Sequence, residues 1–320
     1  MSISQGIIVK RQVIAVGLIL AAGITFAIGM VNPHTERQQF YDELAAAFVE
    51  PEEAQPSRAE RIARALVQAY PRRVLKAEYR NGDWAVLLRD TWFYYAGGRF
   101  LPEELLYRVS HYRPIAFYDN YPRQMSSWTL PEPEQIDRFR EMAAARTTQL
   151  PRAPHFFDTL YRARSHDESY TRVKTMRFLG NQVTVHHAIM EELALVERRI
   201  LDAARTNNRV LAWIYNIDRV YGWHWRNIGG SQSRSFHAYG AAVDIMPRAT
   251  GGRAIFWSWA GPNWWSIPYE RRYHPPNAVI EAFEAYGFVW GGKWPFFDTI
   301  HFEFRPEVII LSGIELSTVR

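Results

Sequence analysis

An α+β fold is predicted for this chain, and three stretches of its second half carry the prediction. Ala241 to Met246 is a short apolar run of the kind that forms a buried strand. Ile300, Phe302 and Phe304 alternate with His301 and Glu303, the period of a strand with one apolar face. His187 to Arg205 puts Ile189, Leu193, Val196 and Ile200 on one side of a helix.

In chain order, Val13 to Val31 comes first. It carries no charge and follows Lys10 and Arg11. That length reaches the lower edge of a bilayer span, and the flanking cations orient it with a cytoplasmic N-terminus. A transmembrane signal anchor over residues 1–32 is therefore expected, with membrane attachment through this helix. A cleaved signal peptide competes, with Thr25 to Ala27 as a passable site. Either way the remainder is exported.

Residues 33–150 are expected to form a small helical and β-hairpin module of unknown role. Phe40, Leu44 and Phe48 fall at helical spacing, and a second amphipathic stretch runs from Ser57 to Tyr70. Val74–Tyr79 and Trp84–Leu88 flank an Asn81-Gly82 turn signal, Trp92–Tyr95 continues as a strand, and Ala96–Arg99 closes another turn. The aromatic residues there read as core. Pro and charged residues are dense from Arg113 to Pro154, with a helix expected from Pro133 to Arg146. In the third region, 151–320, further strands are expected at Phe178–Val185 and Arg209–Ile217. Gly251–Pro276 is a long aromatic insert that suits a lid over a cleft or a packing surface.

Composition narrows the chemistry. The 320 residues hold 38 Lys and Arg scattered among 33 acids, a net charge of +5, which is not the basic stripe of a nucleic-acid binder. Cysteine is absent, which excludes disulfides, thiolate zinc sites and a cysteine nucleophile. Any metal must be held by histidines and carboxylates.

Asp244 sits in the middle of the apolar run 241–246. A carboxylate there loses hydration and needs a cation or several donors. A metal shared with His237, seven residues earlier, is one solution; an Arg or Lys from elsewhere is the other. His301 offers a second imidazole, and Asp298 lies three residues before it in the turn entering the strand. Two imidazoles and one carboxylate leave an open zinc position, the pattern of a catalytic site.

The two motifs resemble those of the VanY-like zinc D-alanyl-D-alanine carboxypeptidases and related L-alanyl-D-glutamate endopeptidases, which share a fold with the hedgehog signalling domain. The first motif is matched at Ser235, His237, Gly240, Ala242 and Asp244, the second at Gly291, Gly292, Trp294, Asp298 and His301. The resemblance covers about residues 175 to 306. It implies a small antiparallel sheet flanked by helices, a Zn2+ cofactor held by His237, Asp244 and His301, and Asp298 as general base. It also implies an arginine upstream of the first ligand for substrate and oxyanion; Arg226 is the best match and Arg234 the alternative. Ser235 and Trp294 are expected at the substrate.

Glu303 is a competing base but suits a partner that orients His301. His224 reads as a pocket-wall residue, and His186 and His187 as packing or capping residues. The implied activity is hydrolysis of peptidoglycan stem peptides outside the cytoplasm, in the bacterial cell envelope. A non-catalytic zinc-containing binding module is the alternative, and the presence of Asp298 argues against it.

Overall fold

The structure is a computed structural model and describes residues 56–117, 121–123 and 129–317. The chain divides into Met1–Gln55, outside the described residues, and Pro56–Arg320, whose architecture follows.

Ser57 starts helix α1 (Arg58–Ala69) by accepting from the Glu60 backbone N–H. Ile62, Ala63, Ala65 and Leu66 form its buried face. A four-stranded antiparallel meander follows, in the order β1 (Val74–Arg80), β2 (Asp83–Leu88), β3 (Thr91–Tyr94) and β4 (Leu101–Pro102). Asn81 and Gly82 both have positive φ, 49° and 85°, as the expected tight hairpin requires. Helix α2 (Pro133–Ala144) ends short of Arg146, which falls in a 3-10 turn. Then come α3 (His155–Tyr161), α4 (His166–Tyr170), hairpin β5 (Val173–Phe178) with β6 (Asn181–His186), α5 (Met190–Ala204) and α6 (Asn208–Tyr215).

The sheet that carries the site has the order β7 (Ile217–Tyr221), β8 (Ala242–Pro247), β10 (His301–Phe304) and β9 (Phe288–Trp290), antiparallel throughout. Helix α7 (Asn277–Ala285) precedes β9, and α8 (Pro306–Leu311) follows β10 and packs on α1. One apolar core runs through Ile62, Leu66, Val86, Phe93, Phe156, Tyr161, Leu193, Phe283, Phe302 and Phe304, joining residues 58–117 to the later elements.

Three expectations need correction. The transmembrane helix is not part of this fold: among the described residues no helix is long and apolar enough to cross a membrane. Even α5, with 15 residues, spans only about 22 Å at about 1.5 Å per residue and carries Glu191, Glu192 and Asp202. The stretch Val13–Val31 lies outside the described residues. Second, 209–217 is mostly helix, because the Asn207 side chain accepts from Arg209 and Val210 N–H and opens α6, whose buried face is Val210 and Trp213. Third, 178–185 is not one strand. Leu179 and Gly180, with φ 47° and 81°, turn the chain between β5 and β6.

The aromatic insert folds as a small second core. Trp264, Trp265 and Phe297 are buried there, with Trp257, Phe296 and the α2 residues Ile136, Phe139 and Ala143 packed against them.

Candidate metal centre

Strand register brings two expected ligands together. In the β8–β10 pair His301 lies directly opposite Asp244 and Glu303 opposite Ala242, so His301 and Asp244 meet across the ladder on the face they share with Glu303. His237 arrives from a 3-10 turn, Phe236–Tyr239, capped by Ser235, whose Oγ accepts from the His237 backbone N–H. Gly240 ends that turn with φ 67°. A side chain there would come within 2.7 Å of the His186 nitrogen, so the chain enters β8 against the β5–β6 hairpin only with glycine.

His301 Nδ1 is 2.9 Å from Asp244 Oδ1 and 3.2 Å from His237 Nε2, and His237 Nε2 is 3.2 Å from Asp244 Oδ1. Tetrahedral zinc with ligands at about 2.0–2.1 Å sets its donors about 3.3 Å apart, so the triangle is the right size for one face of that tetrahedron. Both rings also turn one nitrogen inward, toward Asp244. His237 Nδ1 donates to the Gly222 carbonyl at 2.6 Å, leaving Nε2 free to ligate. His301 Nε2 faces Glu303 Oε2 at 3.2 Å, leaving Nδ1.

Charge points the same way. Glu303 and Glu307 share one guanidinium, Arg305, while Asp244 meets the two imidazoles and no cationic side chain. A divalent cation between the imidazoles would satisfy the Asp244 carboxylate. Burial opposes charge on His301, but the bonds to Asp244 and Glu303 lift its pKa to about 10. Burial alone would raise Asp244 too, yet His237 and His301 hold it well below the usual carboxylate range.

Asp298 sits on a turn built by glycine. Its N–H donates to the Gly291 carbonyl at 3.1 Å, and a side chain at Gly291 would come within 2.5 Å of the Asp298 carbonyl oxygen. Burial pushes its carboxyl up to about 6; His301 pulls it down and Asp244 adds to the rise. Its buried Oδ1 has no hydrogen-bond partner among the described residues. The insert supports this turn through a bridge between Phe256 and Asp298.

Beside the triangle is a cleft of about 270 Å³ lined by Tyr221, Gly222, Trp223, His224, Arg226, His237 and Asp244. Arg226 is exposed, and its guanidinium bonds only loosely, at 3.3 Å, to the neighbouring Asn227 carbonyl. Arg234 turns away from solvent: it pairs with Asp158, donates to the Ala163 carbonyl and lies over Trp225. His224 is a wall residue outside the triangle. Trp294 is half-buried with its ring 5.5 Å from that of His301. His186 and His187 do pack and cap: His186 accepts from the Ala188 N–H, and His187 bonds to the Arg172 carbonyl.

Sequence reasoning missed two supports, the Gly222 carbonyl and Arg305. The second had a signal. Glu303, Arg305 and Glu307 alternate through an apolar stretch, a spacing that pairs charges when the stretch is buried.

Residues 229–304 match a family model described as D-alanyl-D-alanine carboxypeptidase. Residues 63–117 match a family described only as a domain of unknown function. No curated protein and no solved structure matches the chain. The first match takes in His237, Asp244, Asp298 and His301, and it supports a peptidase that acts on peptidoglycan in the cell envelope.

Proposed function

We propose that this protein is a zinc-dependent peptidase that hydrolyses peptide bonds in peptidoglycan stem peptides, outside the cytoplasm. His237, Asp244 and His301 hold the metal, Asp298 is the general base, and Arg226 binds the substrate. The observation that carries the reading is the buried, unpartnered Oδ1 of Asp298 beside the ligand triangle. A purely structural metal site has no use for such a carboxylate, since leaving it buried costs about 1–3 kcal/mol.

When bound, zinc polarises the scissile carbonyl and acidifies water at neutral pH. Asp298 takes a proton from the attacking water, the hydroxyl oxygen bonds to the carbonyl carbon, and the C–N bond breaks as Asp298 passes that proton to the leaving amine. Arg226, on the cleft wall, holds a substrate carboxylate or the developing oxyanion. Ser235 serves the site by fixing the turn that carries His237, and Trp294 forms the wall beside His301.

The test compares wild type with Asp298→Asn on purified muropeptides, reading products by mass and bound zinc by elemental analysis. Wild type is expected to cleave, and the variant to keep zinc while losing about 10²–10⁴-fold in kcat. Product mass separates a D,D-carboxypeptidase from an L-Ala-D-Glu endopeptidase. Zinc bound by both proteins with no cleavage by either would overturn the enzyme reading in favour of a metal-holding binding module.

A further inference from the structure

The metal ligand His301 is the inner end of a continuous line of buried polar groups that reaches into the N-terminal segment. Glu303 uses one oxygen for His301 Nε2 (3.2 Å) and the other for Arg305 Nη1 (3.4 Å). Arg305 Nε donates to Glu307 Oε1, and Glu307 Oε2 accepts from the Tyr70 hydroxyl at 2.8 Å. Arg305 Nη2 donates to the Ala116 carbonyl at 2.8 Å, and its guanidinium lies 5.0–5.8 Å from the rings of Phe117, Phe157 and Phe236. Relative exposure along the line is 7% for His301, 5% for Glu303, 0% for Arg305 and Glu307, and 4% for Tyr70, so water does not screen it.

Such a line is a poor device for stability alone. A buried ion network is often no better than well-packed apolar residues of the same volume, and an apolar set was available in this aromatic core. It is a good device for holding a carboxylate still. Glu303 fixes the His301 ring only while its second oxygen is held, and that oxygen is held by a guanidinium itself fixed by Glu307 and Ala116. Two of the outer anchors, Tyr70 and Ala116, belong to the segment 63–117 that matches a domain of unknown function.

We propose that this N-terminal segment completes the metal centre: Tyr70 and Glu307 are positioning residues that act through Arg305 and Glu303 to orient His301 for the metal. Loss of Glu307 leaves Arg305 paired on one side, where it competes with His301 for Glu303. Loss of the Tyr70 hydroxyl frees one oxygen of Glu307 and loosens the line at its far end. The inference rests on the metal-centre part of the reading above and is independent of the reaction.

The experiment measures Zn2+ affinity by competition with a chromogenic chelator, and the visible spectrum of the Co2+-loaded protein, for the full chain and for Tyr70→Phe and Glu307→Gln. Val86→Ala serves as a control that destabilises the same segment without touching the line. Glu307→Gln is expected to lower affinity about 10–100-fold, Tyr70→Phe less, and both to shift the Co2+ spectrum, with Val86→Ala leaving affinity and spectrum unchanged. Tyr70→Phe is conservative enough to fold if Glu307→Gln does not. Unchanged affinity and spectrum in the folded variants would overturn the proposal alone, as would an equal loss in Val86→Ala. A wild type that binds neither metal would overturn the metal centre with it. Metal binding lowered as expected, with no peptide cleaved, leaves the proposal standing and removes only the peptidase.

Discussion

The two imidazoles of the triangle are held by opposite means. His301 lies on β10, where all four residues are buried, and its outer nitrogen meets a carboxylate, Glu303. His237 lies on a turn at the cleft, and its outer nitrogen meets a neutral peptide carbonyl, that of Gly222. Both rings are buried, and the difference lies in their supports: Glu303 is buried, whereas Gly222 lines the cleft and is half-buried. On the closed side a charged partner acts undiluted and raises the basicity of the ligand, provided further charges balance it. On the open side water would weaken a charge and a substrate would compete for it, so a backbone group fixed by the fold is the steadier support.

The comparison can be broken most directly at Glu303. Burial opposes its charge, but the bond to His301 and the nearby Arg305 keep its pKa low. Glu303→Ala removes one of the hydrogen-bond partners of buried Arg305, which keeps Glu307 and the Ala116 carbonyl, a change that costs about 1–3 kcal/mol. Zinc affinity should fall by about 10–100-fold in the same variant. Denaturant unfolding and a chelator competition read the two effects. A loss of under about 1 kcal/mol would mean that the closed side is not braced by charge.

The open side is tested at Gly222. A side chain there would come within 2.1 Å of the Thr184 carbonyl oxygen on β6, so Gly222→Ala must push the loop off the hairpin. Overpacking of this kind costs about 1–3 kcal/mol, and the displaced carbonyl no longer fixes the His237 tautomer. The expected result is lower stability together with weaker zinc binding. Weaker stability with zinc affinity intact would show that His237 needs no such support.

These two supports also mark how far the site was legible in the sequence. Asp244, His301 and Glu303 could be placed because period-2 alternation and a short turn leave little freedom, and the observed register puts two of them opposite each other. Gly240 and Gly291 stand out through the two motifs that carry the resemblance, and the structure supplies the reason, backbone approaching too closely for any side chain. The Gly222 carbonyl carries no side-chain signature. Tyr70 stands 237 positions from Glu307, and nothing local to either announces the bond. The α6 stretch was misread because its apolar and aromatic residues suit strand or helix equally, and the Asn207 cap decided between them. The insert was open to two roles because its partner, α2, lies more than a hundred positions earlier.

A third imidazole, His186, has no part in the triangle and sharpens the contrast by its titration. Its Nε2 bonds to the Tyr161 carbonyl at 2.9 Å and its Nδ1 accepts from the Ala188 N–H at 3.1 Å, so the fold holds it neutral. Burial lowers its pKa to about 3, and the Tyr161 bond offsets only part of this. A depressed pKa gives stability that is present above the unfolded value, about 6.5, and is lost as pH falls toward about 3. The loss is expected at up to about 1.4 kcal/mol per pH unit below 6.5. Unfolding of wild type and His186→Gln at pH 7 and pH 5 isolates it. The difference between the two proteins should shrink at the lower pH, and a constant difference would show that His186 titrates in the fold as it does in the unfolded chain.

The smallest expected effect on stability is at Arg226, and it tests the open side most cleanly. The guanidinium is exposed, reaches only the adjacent Asn227 carbonyl and pairs with no acid among the described residues. Arg226→Ala should therefore change stability by no more than about 0.5 kcal/mol and leave zinc affinity as in wild type. Its effect should appear in the kinetics instead. If the arginine holds a substrate carboxylate that is charged throughout the reaction, KM rises and kcat is kept. If it meets an oxygen that gains charge only at the transition state, kcat falls by about 10²–10³ with little change in KM. Arg226→Lys separates these further, since a point charge replaces a guanidinium better at a diffuse carboxylate contact than at a two-pronged one. A variant that lost stability or zinc would show that the cleft wall, too, is part of what holds the metal, and the division between a braced side and an open one would fail.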